Sequence, residues 1–425
     1  MIMLLMIINF ADKTVYGLAG KSLMADLGLT QSQFGLGGSI FFLLFGVAAV
    51  AVGFVGNRVS STKVLLVLAL AWSVSLGPLL LAPAFGTLLV SRLLLGAAEG
   101  PTFPMAVHAV HKWFPESKRS MPTSMIPVGA ALGVALSAPV LTFLIADHGW
   151  AAAFWILAAL GPIWAVGWLL IGREGPFSTY ASASDLADST AVAGPEKHLP
   201  YRRVFGASGW WGPLLACGPA YIAFTVFNIW GPVYLENGLS YSAGAIGGLI
   251  GVFAVIALGG MLVSSWVSGR LVRRGVPTRW SRSVITGGVV VLSGVLILAG
   301  LWLDNALTVW FLIVGFGLAN ATNPIGMLTV SEMSPVRQRS AILAVYNSVV
   351  TLGGVVASFG VGVLADRALG AGGTAVAGYE LAFQVIALTM VVGGLLAAWL
   401  TNAHRDAIRL GLQKNAAQEA ATTAA

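Results

Sequence analysis

A single cysteine, Cys217, and five histidines are all the sulfhydryl and imidazole that 425 residues offer, so an internal disulfide and a cysteine metal cluster are excluded. Charge is scarce as well: Asp, Glu, Lys and Arg make up 9% of the chain, against about 25% in a soluble domain. The sequence lacks the polar catalytic cluster that an integral membrane enzyme would carry at the membrane edge, which leaves an enzyme or a receptor as the weakest reading. It also lacks the strands of about ten residues with alternating polarity that build a transmembrane barrel. What fills the chain is hydrocarbon. Hydrophobic residues are 57% of the total, gathered in runs of about 20 to 28, each able to cross a core of about 30 Å.

Twelve such runs are predicted, near 1–25, 33–56, 63–83, 86–113, 120–146, 150–172, 209–235, 242–269, 282–303, 306–333, 339–367 and 377–402. The apolar stretch Met1 to Asn9 has no basic leader and no small-residue cleavage site, so it reads as the start of the first span and not as a signal peptide. Of the 23 Lys and Arg residues, Lys13 and Arg92 fall inside spans, Lys21 and Arg367 fall on one side, and the other nineteen fall on the opposite side. The positive-inside rule makes that basic side cytoplasmic and puts both termini there, in a multi-pass protein of the cell (inner or plasma) membrane. The formal charge of +7 is thereby explained by topology and attraction to lipid headgroups, and nucleic-acid binding is not expected.

The polar segment STYASASDLADSTAVAGPEKHLPYRR cannot build a core and divides the chain. The expected organisation is a six-helix bundle over 1–172, a cytoplasmic linker over 173–208, a second six-helix bundle over 209–402 and a cytoplasmic tail over 403–425. The halves repeat. Gly28-Leu29-Thr30-Gln31-Ser32 matches Gly238-Leu239-Ser240-Tyr241-Ser242, and Pro104, Pro115, Arg119-Ser120 and Leu132-Gly133 recur 220 residues on as Pro324, Pro335, Arg339-Ser340 and Leu352-Gly353. The repeat supplies an internal control on the buried charges. Asp12 and Lys13 map onto Ile222 and Ala223, and Arg92 and Glu99 onto Leu312 and Ala319, so the architecture does not require them.

Those four residues are the candidate site. Arg92 and Glu99 are seven apart in RLLLGAAEGPTFP and share a helix face about 10 Å apart. A charge at mid-membrane costs about 2.5–3.5 kcal/mol on insertion scales, which asks for a partner or a task. The bland alternative is a structural ion pair between two helices. Asp12 and Lys13 diverge by about 100°, so the expected arrangement pairs Asp12 with Arg92 and turns Lys13 to a central cavity. The second half offers Tyr221, Phe224 and Asn228 along one stripe of the seventh span, with Trp230 off its axis. Asn320 and Asn323 in the tenth span and Tyr346 and Asn347 in the eleventh complete the expected substrate wall. Few hydroxyl-reading groups stand in the fifth span, where Ser124 and Ser137 are the candidates, and this favours a compact or aromatic acid over a polyhydroxylated one. His108 and His111, three apart near a helix end, have no carboxylate or cysteine with them and read as interfacial packing; no metal site is expected. Packing is equally the plain reading for each aromatic.

Two six-helix halves, a basic turn after the second span, and RLLLGAAEGPTFP followed by KWFPESKR resemble the major facilitator superfamily. More narrowly, Asn9-Phe10-Ala11-Asp12-Lys13, the Arg92 and Glu99 pair and Trp113-Phe114-Pro115 are similar to its anion:cation symporter family, which includes sugar-acid and aromatic-acid transporters and vesicular glutamate and sialic-acid carriers. The resemblance implies an all-α membrane protein of twelve transmembrane helices in two pseudo-symmetric six-helix bundles. It also implies proton coupling through Asp12 and Glu99 with Arg92 as charge partner, and a substrate-carboxylate cation at Lys13, where the family usually has arginine. Its conformational loop motif matches Gly53, Asn57, Arg58 and, in the second half, Arg270, although the motif's usual aspartate is replaced by Asn57 and Gly269. The implied activity is proton-coupled symport of a small organic anion by a monomer, with protons as coupling ion and no cofactor. A proton-driven exporter of drugs or metabolites on the same fold is the alternative, against which the lysine at 13 argues.

Overall fold

The computed structural model describes residues 1–56, 59–114, 118–176, 199–303, 305–335 and 338–411. Asn57 and Arg58 of the loop motif, most of the linker and the end of the tail lie outside the described residues. Ten described helices are long and apolar enough to cross a membrane, and the pair Ile2–Leu18 and Gly20–Leu27, bent by 57°, makes an eleventh. The remaining span is the fourth, Phe85–Glu99 followed by Thr102–His111. The others that matter below are the second (Gln31–Gly56), fifth (Ser120–His148), seventh (Ser208–Asn237), eighth (Ala243–Arg273) and eleventh (Arg339–Gly370).

The fourth and tenth spans break at equivalent points of the repeat. Pro101 has no N–H to give the Ala97 carbonyl, and the helix stops at Glu99 and restarts at Thr102. In the tenth span, Asn320–Thr322 form one 3₁₀ turn between Thr308–Ala319 and Asn323–Glu332, with Pro324 in the first turn of the restarted helix. Small residues then set how near the helices come. Gly96 and Gly100 lie against the carbonyl oxygens of Phe41 and Phe45, and a Cβ at either glycine would overlap those oxygens. The second and fourth spans therefore touch backbone to backbone.

Between the halves the second span packs on the eleventh and the fifth on the eighth. The cross-half bonds gather at the end of the molecule that carries Lys21 and Asp366. There the backbone N–H groups of Gln31 and Ser32 donate to Asp366 at 3.1 and 2.9 Å, Lys21 pairs with Glu236 at 2.9 Å, and the Tyr379 hydroxyl donates to Gln31 Oε1 at 2.7 Å. Deeper in, the Phe359 amide donates across the halves to Ser39 Oγ at 2.9 Å, next to a bond within the second half from the Trp230 indole to the Ser358 carbonyl at 3.1 Å. At the other end, Glu174 ties together the first half alone. Its carboxylate accepts from the Thr62 amide, the Ser61 hydroxyl and Lys112 Nζ. Burial by itself would raise the Glu174 carboxyl, but those donors outweigh it and hold the group down at about 2.

Candidate functional site

Apolar packing leaves one stripe of the fourth span facing inward: Leu88, Ser91, Arg92, Leu95, Gly96, Ala98 and Glu99 are buried. Arg92 and Glu99 thus share the buried face that their spacing predicts. The first span brings Asp12, 0% exposed, and Lys13 to meet them. The pairing differs from expectation. Lys13 Nζ lies 3.6 Å from Glu99 Oε2 and donates a 3.0 Å hydrogen bond to Asn9 Oδ1 one turn below. Arg92 turns to aromatic faces, its guanidinium 4.2 Å from the Tyr16 ring centre and 4.6 Å from that of Phe41, and its Nε donates to the Gly37 carbonyl at 3.3 Å. Asp12 makes no hydrogen bond among the described residues. The reason is reach: a planar guanidinium stacks on rings as well as binding carboxylates, and it lies where Tyr16 and Phe41 already present theirs.

Exposure within the pair is unequal. The Lys13 side chain keeps 22% of its surface accessible and Glu99 none. Lys13 Nζ also sits 4.3 Å from the Phe10 ring centre and 5.1 Å from that of Phe45, so two π-faces, an amide oxygen and a carboxylate surround the ammonium. Sequence reasoning assigned no role to Asn9, Tyr16, Phe41 or Phe45. The crowding of Phe41, Phe42 and Phe45 on one turn of the second span was the available signal.

The second half contributes as follows. Tyr221, Phe224 and Asn228 are half-buried on one stripe of the seventh span, while Trp230 is fully buried. Gly17 of the first span abuts the Asn228 carbonyl, and because the two helices run in the same sense, one turn down puts Lys13 level with Phe224. Phe224 stacks on Phe253 with ring centres 5.3 Å apart, and Asn228 Nδ2 donates to its own helix at Phe224 O, 3.0 Å away. Asn320 opens the 3₁₀ turn of the tenth span and Asn323 follows it, both half-buried, each with an amide oxygen that meets no donor among the described residues. Asn347 is exposed. Tyr346 does not join this wall. It is 0% exposed, donates to the Pro213 carbonyl at 3.4 Å and packs edge-on against Trp210, holding the seventh, tenth and eleventh spans together. Arg270 lies over the Trp266 ring at 5.4 Å near the end of the eighth span, remote from the charged group. His111 Nε2 meets Thr123 Oγ1 at 2.9 Å.

The sequence profile of the Major Facilitator Superfamily matches residues 2–358. The chain belongs to that superfamily. It is a multi-pass membrane transporter and not an enzyme. Among solved structures, this superfamily member resembles a bacterial homologue of the human lysosomal transporter Spinster, inward-facing and unoccupied, with TM-score 0.75 at 16% identity over 96% of each chain. It is 29% identical to the hexuronate transporter of Bacillus subtilis (strain 168) over 301 residues, 68% of this chain and 69% of that one. It is also 24% identical to the D-galactonate transporter of Escherichia coli O6:H1 over 393 residues, 86% and 88% of the two chains.

Proposed function

We propose that the protein is a proton-coupled symporter of a small organic anion, working by alternating access between bundles spanning 1–172 and 209–402. In this reading it lies in the cell membrane with both termini cytoplasmic, and the end tied by Asp366 faces outward. The tied end then corresponds to an inward-facing state. The observation that carries the reading is the Lys13–Glu99 pair, in which a lysine side chain that keeps 22% of its surface accessible is matched to a carboxylate with none. An anion arriving at Lys13 competes with Glu99 for the same charge. With its counter-ion drawn away, a buried carboxylate is costly unless it takes a proton. Anion and proton therefore favour each other's binding, which is symport expressed as linkage. Asp12, also buried and near Arg92, is the second proton carrier.

The names of the relatives, hexuronate and D-galactonate transporters, turn the expected substrate from a compact or aromatic acid toward a sugar acid. The unpartnered amide oxygens of Asn320 and Asn323 support the same choice, since acceptors without donors suit a ligand rich in hydroxyl groups. Tyr221, Phe224 and Asn228 supply the facing wall. The test is uptake into proteoliposomes of labelled hexuronate, aldonate, dicarboxylate and aromatic acids, with and without an inward proton gradient. Accumulation of the sugar acids only under the gradient is expected. Gradient-independent behaviour toward all acids, with efflux of lipophilic compounds, would replace this reading with a proton-driven exporter.

A further inference from the structure

Lys13 is held by two acceptors of different kind, and only one of them changes charge. The Glu99 carboxylate, at 3.6 Å, attracts the ammonium but is too long for a good hydrogen bond. Asn9 Oδ1, at 3.0 Å, makes the hydrogen bond. Asn9 is 1% exposed and sits one helical turn before Lys13, so the bond is made within the first span and moves with it. The fold has no need of a buried amide there. By the repeat offset that takes Asp12 to Ile222, Asn9 maps onto Pro219, which occupies the same place in the seventh span without a side-chain polar atom.

We propose that Asn9 is the positioning residue that holds the Lys13 ammonium in place whatever the charge on Glu99. This rests on the symport reading above and deepens it. If Glu99 were the sole partner, protonating it would release the lysine onto the Phe10 and Phe45 rings at the moment when an anion must find it. An amide oxygen is a neutral acceptor: it anchors the ammonium, adds no charge to compete with substrate, and cannot be titrated. The charged and titratable groups around Lys13 are Glu99 on the fourth span and Asp12 on its own span; beyond them Arg92 faces the same two carboxylates and the Tyr16 ring, whose hydroxyl donates to the Phe34 carbonyl at 2.6 Å. Asn9 is the partner of Lys13 that neither carries a charge nor titrates. Its Nδ2, fully buried and without an acceptor among the described residues, lies beside the same ammonium.

The experiment compares Asn9→Leu, which keeps the branched shape and removes the acceptor, with Asn9→Gln, which keeps a neutral amide oxygen. Transport of the sugar acid that the wild type carries is measured in proteoliposomes in two modes, gradient-driven uptake and exchange at equal pH. Exchange needs anion binding but no net proton movement. For Asn9→Leu, KM in exchange should rise about tenfold, the weight of one hydrogen bond to a charged group. The pH profile of uptake should move to the acid side, because a lysine left to Glu99 alone favours its ionised form. Asn9→Gln should keep KM within about threefold. Unchanged KM and pH profile in Asn9→Leu would overturn the proposal, as would equal damage in both variants, which is the mark of a packing role. Should Asn9→Leu fail to accumulate, Asn9→Ala carries the same expectations. Wild-type exchange without any gradient-driven uptake would sink the symport reading while leaving the KM comparison to decide on Asn9.

Discussion

Asp366, near the end of the eleventh span, caps the helix that starts at Gln31 in the opposite half. Its two carboxylate oxygens take the N–H groups of Gln31 and Ser32 at 3.1 and 2.9 Å, two of the donors that a helix N-terminus leaves without partners in its own chain segment. The cap exists only while the halves meet at this end, and opening them must break it. A negative charge at the positive end of a helix dipole adds to the attraction.

Asp366→Ala should therefore shift the protein toward the state open at that end. Spin labels at Ala25 and Ala371, one on each half, would report it by pulsed dipolar distances. A longer population growing at the expense of the shorter one is expected in the variant, and an unchanged distribution would mean the cap does not hold the gate.

Glu99→Gln keeps the size and hydrogen bonding of the residue but fixes it in a neutral form. Accumulation driven by the proton gradient should be lost, while exchange at equal pH persists, because Lys13 stays held by Asn9. Gradient-driven accumulation surviving in the variant would remove Glu99 from the coupling step.

Gly96→Ala tests the contact between the second and fourth spans. The added methyl would strike the Phe41 carbonyl, which belongs to backbone and cannot swing aside. Overpacking of this kind costs about 1–3 kcal/mol, so the thermal midpoint in detergent should fall, and Arg92, stacked on the Phe41 ring, should lose transport with it. A midpoint equal to wild type would show that the helices can separate freely.

Glu174 carries the pH prediction. Its carboxyl is held at about 2, below the ordinary 4.5, so its contribution to stability is complete above the ordinary value and fades as pH falls from there toward 2. The difference in thermal midpoint between wild type and Glu174→Gln should be constant from pH 8 to about 5 and shrink at more acid pH. A difference that grows on acidification would contradict the assignment of its partners.

Much of this protein was legible without coordinates, for a physical reason. Lipid demands runs of apolar residues long enough to cross it, and helices satisfy their own backbone within the run, so the spans and the repeat could be read from order alone. The charges stood out because their cost in hydrocarbon makes each one visible, and the shared face of Arg92 and Glu99 followed from helical spacing. What spacing does not carry is which side chain of one span reaches which side chain of another. Asp12 was expected opposite Arg92, yet Arg92 went to Tyr16 and Phe41 and Lys13 went to Glu99 and Asn9. Tyr346, a polar aromatic on an apolar helix, looked like part of a binding wall until its partner Pro213 was in view. Asp366 gave no sign in the sequence of a partner in the other half, since its bonds to Gln31 and Ser32 join residues more than 300 apart. Helical order and composition were settled by the chain itself, because they depend on neighbours three and four residues away. The pairings, the cross-half cap and the closed end were decided by tertiary structure, because they depend on the rotation and depth of helices hundreds of residues apart.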